Sequence, residues 1–135
     1  MRSIHSVLPA LEDPNFLRGI GGWARLVNRE GYVRAGAGAF ESPTHDYVHI
    51  GVGGHMANGL SPNDLLFCAH HSMMDRLWWE WNARGHPNPA DSRWLDWTFE
   101  DRLVDRHGNT VDVSVAEAIK LPEQSYTYDT CIDDG

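Results

Sequence analysis

The run from Leu65 to Arg84 constrains this chain more than any other stretch. Ser61, Pro62, Asn63 and Asp64 ahead of it supply helix-start chemistry, and Gly85 and Pro87 close it. The spacing predicts a helix over 65–84. On that helix Phe67, His71, Met74, Asp75, Trp78 and Trp81 recur at three- and four-residue intervals, which stacks them along one face. The buried face and the chemically interesting face therefore coincide.

The rest of the chain arranges itself around this helix. Residues 36–44 (GAGAFESPT) read as a loop in which Ser42 and Pro43 suit the start of a second helix, with His45 and His49 in its first turns and Gly51, Gly53 and Gly54 ending it. Residues 1–35 suggest two short helices, one at Ile4, Val7 and Leu8, the other running from Phe16 through Trp23 to Val27 and broken by Gly19, Gly21 and Gly22. Beyond Pro89, Leu103–Asp105 and Thr110–Val113 flank Arg106, His107, Gly108 and Asn109, which predicts a β-hairpin. Ser114 and Glu117 then form a capping box for a short helix through Ile119. The expected fold is mainly α: an antiparallel helix pair, with a small C-terminal β-hairpin. At 135 residues, with no repeat and no linker-like segment, one domain over 1–135 is expected.

Charge and patterning exclude several functions. A formal charge of -8 with scattered Arg argues against a nucleic-acid surface. No apolar run approaches the roughly 20 residues that span a bilayer. Glu12, Asp13 and Arg18 interrupt the place where a signal peptide needs an apolar stretch, so the expectation is a chain with no export signal of its own and no membrane partner, its compartment cytoplasmic or unknown. Cys68 and Cys131 do not make a disulfide framework, and Cys68 reads as a small buried hydrophobe.

Histidine spacing carries the chemistry. His45 and His49, four apart, place both imidazoles on one helical face, where they can share an ion. A third ligand must come from another element, and the long helix offers His70 and His71, of which His71 lies on the stripe with Phe67 and Asp75. Asp75, one turn beyond His71, is placed to orient a ligand ring for this site. An all-imidazole set suits Cu, Zn, Fe or Ni, so spacing alone names no metal. A zinc hydrolase is one alternative, although no HExxH-type base accompanies the ligand helix.

The stretch HDYVHIGVGGHMANGLSPNDLLFCAHHSMMDRLWWEWNARGHP resembles the copper B region of tyrosinases, catechol oxidases and their relatives, whose pattern is HNxVHxxxGGxM, a short loop, then DPxFxxHHxxxDRxWxxW. His45, His49, Gly53, Gly54, Met56, Asp64, Phe67, His70, His71, Asp75, Arg76 and Trp78 fall on it in order. The resemblance implies half of a type 3 copper four-helix bundle, with His45, His49 and His71 as ligands of one copper ion per chain and His70, Asp75 and Phe67 behind them. Glu41 corresponds to a family Glu that helps hold a water near the metal. Leu65 replaces a usual Pro, and Asp46 replaces the Asn that usually follows the first ligand and that, with the Glu, is associated with deprotonating a monophenol. Asp46 is placed either to accept a proton more directly or to repel a phenolate, so the resemblance implies oxidation of o-diphenols and related phenols to quinones by dioxygen rather than monophenol hydroxylation, with Glu41 and Asp46 as the catalytic candidates.

That reaction needs two coppers about 3 to 4 Å apart. The copper A pattern is absent, and His5, His55, His86 and His107 sit in unlike settings that do not reproduce it. A homodimer with facing copper B helices is the favoured completion. A separate copper A-bearing chain stands beside it, as does a fragment or relic with at most one mononuclear site and no oxidase activity; the resemblance also admits a non-catalytic copper or dioxygen carrier, since hemocyanins have related sites. A lone copy is expected to expose Met74, Trp78 and their neighbours as an apolar patch.

Overall fold

A computed structural model describes residues 7–16, 18–20, 26–28, 31–33, 39–120 and 126–128. In chain order the elements are α1 (Leu8–Glu12), β1 (Leu26–Asn28), β2 (Gly31–Val33), α2 (Asp46–Val52), α3 (Leu65–Ala83), α4 (Ser92–Leu95), β3 (Thr98–Val104), β4 (Thr110–Ser114) and α5 (Val115–Ala118). An irregular turn, Phe40–His45, leads into α2, and 3₁₀ turns occupy Gly54–Ala57 and Ser61–Asn63. The fold is mainly α. The chain divides into two compact units, whose described residues fall within 7–20 and 39–88 for one and within 26–33 and 89–128 for the other.

In the first unit α3 begins as its sequence implies: the Asp64 side chain accepts the Leu66 N–H at 2.9 Å, satisfying one of the orphan donors of the first turn. Its inner face buries Leu77, Glu80 and Trp81. Ala10 and Leu11 of α1, Phe40, Leu77 and Trp81 make the core, against which Phe16, Met74 and Trp78 pack. Trp81, wholly buried, donates its indole N–H to the Asp13 carbonyl at 2.8 Å, and the His86 ring donates to the Leu11 carbonyl at 3.0 Å. Burying Leu11 and Phe40 contributes about 1.5–3 kcal/mol each, and the two long-range hydrogen bonds fix the register of α1 on α3. Gly19 is required by proximity, since a Cβ there would stand 2.9 Å from the Ala10 carbonyl oxygen.

The second unit contains two antiparallel pairs. The hairpin β3–β4 pairs Thr98 with Ser114 and Val104 with Thr110, with a register shift between Phe99 and Leu103. Its loop is organised by Asp105, whose carboxylate accepts the backbone N–H of His107 at 2.7 Å and of Asn109 at 2.9 Å, while Gly108 supplies a φ of 85°. The capping box at the start of α5 is complete, with Ser114 Oγ accepting from Glu117 N–H and the Glu117 carboxylate accepting from Ser114 N–H.

Three expectations are corrected. The stretch read as a second N-terminal helix instead holds strand β1 at Leu26–Asn28, paired with β2 in the register Leu26↔Val33 and Asn28↔Gly31. Three glycines cost a helix there about 1 kcal/mol each, and Val27, Tyr32 and Val33 favour strand. Cys68 is exposed rather than buried; it stands two and a half turns before Leu77, on the opposite side of α3 from the core. Met74 and Trp78 pack on the core, so the exposed apolar side chains of this unit are others, among them Tyr47, Val48, Ile50 and Val52 on α2 and Leu65, Leu66 and Met73 on α3. No helix among the described residues is long and apolar enough to cross a membrane.

Candidate metal centre

Three imidazoles from two helices converge. His45 closes the irregular turn at the start of α2, His49 follows one turn later, and His71 projects from α3. Each offers a ring nitrogen, and these atoms lie within 4.8 Å of one another. It is the triad chosen from the sequence, and among the described residues it is the group of three or more metal-binding side chains that the structure brings together. His55 is exposed on its 3₁₀ turn, His86 is held by the Leu11 carbonyl, and His107 sits beside Arg106 in the hairpin loop. His5 lies outside the described residues.

Hydrogen bonding fixes which nitrogens are available. His49 Nδ1 stands 2.6 Å from the Met56 carbonyl oxygen. A carbonyl only accepts, so Nδ1 carries the proton and the lone pair of the neutral ring is on Nε2. That Nε2 lies 3.3 Å from His71 Nε2. Two nitrogens bound tetrahedrally to one ion at about 2.0 Å are separated by about 3.3 Å, so the pair already has the spacing of two ligands on one metal. His45 Nδ1 lies 3.1 Å from the Asp46 carboxylate, which directs the other nitrogen of that ring away from the acceptor.

Burial disfavours the charged form of the two α3 rings. The pKa of His71 is lowered by burial first and then by the neighbouring imidazoles of His45, His70 and His49. Burial likewise lowers His70. An unprotonated ring is the metal-binding form, so the lowered pKa of His71 favours metal loading. Phe67 covers one face of His71, with ring centroids 4.1 Å apart, and its edge meets His49 at 6.3 Å.

His70 stands behind the triad rather than in it. Its ring stacks on His45 at 5.2 Å and hydrogen-bonds the His45 backbone. Its Nε2 is buried without a hydrogen-bond partner among the described residues, so the bond runs through Nδ1 and ties α3 to the start of α2. Glu41 is half-buried on the turn that ends at His45, and Asp75 is half-buried one turn beyond His71. Sequence reasoning missed the Met56 carbonyl, since any residue type supplies one. Asp46, read from the sequence as either accepting a proton or repelling a phenolate, has its carboxylate against its neighbour His45.

The donor set accommodates a divalent transition ion, and its chemistry alone does not choose among Cu, Zn, Fe and Ni. Comparison with known proteins bears on that choice. A family model described as the common central domain of tyrosinase matches residues 18–84. A tyrosinase of Streptomyces antibioticus is 54% identical over 44 residues, 33% of this chain and 16% of that protein. A tyrosinase of Hahella sp. (strain CCB-MM4) is 30% identical over 124 residues, 89% of this chain and 26% of the relative. A chloroplastic polyphenol oxidase II of Ipomoea batatas is 33% identical over 111 residues, 72% of this chain and 18% of that one. The matched stretches thus span between 16% and 26% of these three relatives.

Proposed function

Since the chain belongs to the tyrosinase family, we propose that it carries the copper B half of a type 3 copper site and takes part in the oxidation of o-diphenols and related phenols to o-quinones by dioxygen. The observation that carries this reading is the convergence of His45, His49 and His71 ring nitrogens within 4.8 Å. The family implies copper, and bound copper supplies the redox chemistry that passes electrons from a phenol to dioxygen. Each o-diphenol yields two electrons and two protons as it becomes a quinone, and one dioxygen accepts those of two diphenols to give water.

The chain's own side chains have distinct parts in this reading. His45, His49 and His71 hold one copper ion. His70 and Asp75 orient ligand rings, and Phe67 walls the His71 ring and excludes water from that side. Glu41, on the turn ahead of the first ligand, positions a water or takes a phenolic proton. Asp46 shares that proton-handling task only to the extent that its contact with His45 leaves it free.

A binuclear site needs a second triad, and a second copy of this chain is the favoured source. Val48 and Val52 share the face of His45 and His49 on α2 and are 38% and 46% exposed, so the metal-bearing face of this helix is apolar and uncovered. Twofold docking is the commonest way to close such a face. A copper A-bearing chain is the other source. Its claim rests on the small share of its relatives that this chain spans.

Native mass spectrometry of the copper-loaded chain tests the proposal, because one spectrum reports chain count and copper count. A dimer with two coppers that consumes oxygen with catechol supports the shared site. A monomer with one copper and no oxygen uptake assigns the second triad to another chain. Absence of copper at stoichiometric loading overturns the reading.

A further inference from the structure

The turn after α2 aims the His49 ring. Gly53 ends the helix at φ 73° and ψ -158°, and Gly54 follows at φ 57°. The first conformation belongs to a region essentially reserved for glycine, and the second has a positive φ, in the left-handed range that favours glycine. Ideal Cβ atoms at these positions would meet nothing within 4 Å, so it is backbone conformation rather than space that requires glycine. Two successive positive φ angles turn the chain back on α2. The 3₁₀ turn Gly54–Ala57 then sends the Met56 side chain inward, where it is 1% exposed, and brings the Met56 carbonyl to 2.6 Å from His49 Nδ1.

We propose that Gly53, Gly54 and Met56 form a tautomer clamp: positioning residues that hold His49 with its proton on Nδ1 and so aim the Nε2 lone pair at the point shared with His71. The inference rests on the metal-binding reading of the triad. None of the three touches a reacting atom. The glycines set the direction of the turn, the buried Met56 side chain anchors it, and the carbonyl acts on the ligand. Metal-bound imidazoles depend on such partners, and losing one typically weakens metal affinity 10- to 100-fold. The clamp is built into the metal-free fold, so its effect on the ring is measurable without copper.

The test compares the wild-type chain with Gly53→Ala, Gly54→Asn, Met56→Ala, Met56→Leu and, as a control, Gly85→Ala. Gly85, past the C-terminus of α3, also has a positive φ, 88°, and open space around it, so it bears a similar backbone demand away from the triad. Two quantities are read. One is the ¹⁵N shift pattern of the His49 imidazole in the metal-free chain above pH 8, and the other is the Cu(II) dissociation constant from a competition titration. The wild type is expected to show a protonated Nδ1. Gly53→Ala and Met56→Ala are expected to lose that pattern and to bind Cu(II) at least ten-fold more weakly. Gly54→Asn keeps both, because Asn tolerates left-handed backbone, and Met56→Leu keeps both by preserving the apolar anchor.

Unchanged His49 pattern and affinity in Gly53→Ala and Met56→Ala overturns the clamp. So does an equal loss in Gly85→Ala, which would reduce the effect to general destabilisation. Should Gly53→Ala fail to fold, the two Met56 variants decide between the same outcomes. If the wild type shows the Nδ1–H pattern yet binds no Cu(II), the triad reading fails while the tautomer result still judges the clamp.

Discussion

Replacing His49 by Ala separates its contribution to the fold from the metal-binding role proposed for it. In the metal-free chain it removes a part-buried hydrogen bond to the Met56 carbonyl, which costs about 1 kcal/mol. A chain of 135 residues unfolding cooperatively has an unfolding entropy of about 280 cal/mol/K, so that loss lowers Tm by about 3–4 °C. With metal the difference is larger. At a free Cu(II) concentration of 100 times Kd, binding to the native state contributes about 2.7 kcal/mol, which raises the wild-type Tm by about 9–10 °C. Without His49 the 3.3 Å nitrogen pair is gone and two ligands remain, so the metal-dependent rise should vanish at the same copper concentration. Differential scanning calorimetry of both proteins, with and without Cu(II), reads all four states. A rise of equal size in His49→Ala would place the copper elsewhere and refute the triad.

Further expectations follow from single contacts. Asp46→Ala removes the acceptor 3.1 Å from His45 Nδ1 and should weaken Cu(II) binding about 10- to 100-fold, whereas Asp46→Asn retains an acceptor oxygen and stays nearer wild type; indistinguishable affinities in a competition titration would show that the contact does not orient the ring. Trp81→Phe keeps apolar bulk but leaves the Asp13 carbonyl without its indole donor, so urea unfolding should show a loss of about 1–3 kcal/mol while Cu(II) affinity is unchanged; a matching fall in affinity would mean that core and site are coupled. The Asp105 carboxyl titrates below the ordinary aspartate value, chiefly because the Asn109 side chain donates to it. Its folded pKa being depressed, its stabilisation of the hairpin is complete above about pH 4 and is lost as pH falls through the lower folded value. A ¹³C-detected carboxyl titration that returns an ordinary value would refute this.

What was legible in the sequence was what residue type encodes. Asp64 and Gly85 bracket α3 because a capping carboxylate and a φ of 88° are chemical requirements of helix ends. The β3–β4 hairpin and the Ser114–Glu117 capping box announce themselves in the same way. His71 could be separated from His70 by phase, since only one of two adjacent residues lies on the Phe67 and Asp75 stripe. Other features had no such signature. The partner of His49 is a backbone carbonyl, which leaves no trace in composition. The strand at Leu26–Asn28 follows a glycine-broken apolar stretch of the kind for which periodicity does not decide between helix and strand. Cys68 was misplaced because an apolar neighbourhood in sequence says little about which side of a helix faces the core.

Two of the three triad histidines sit on or beside the weaker of their two helices, which would give a bound metal a structural task. Helix α2 has seven residues and buries none of them, well below the 12–15 residues at which an isolated helix becomes even marginally stable. Its place is set from outside: Phe40 before it and Met56 after it are 2% and 1% exposed, and His70 bonds the His45 backbone from α3. Helix α3, by contrast, carries Leu77, Glu80 and Trp81 into the core without help from the site. An ion shared by His45, His49 and His71 therefore cross-links a helix that depends on its neighbours to one that does not. Openings that lift α2 off α3 must release the ion, so at a free metal concentration of 100 times Kd they should become about 100-fold rarer, while openings of the C-terminal half of α3 change little. Hydrogen exchange followed by mass spectrometry resolves peptides from the two helices. If saturating metal protects neither helix, the triad is a cluster of histidines rather than a metal site; equal protection of both would mean that the ion does not act by tying α2 to α3.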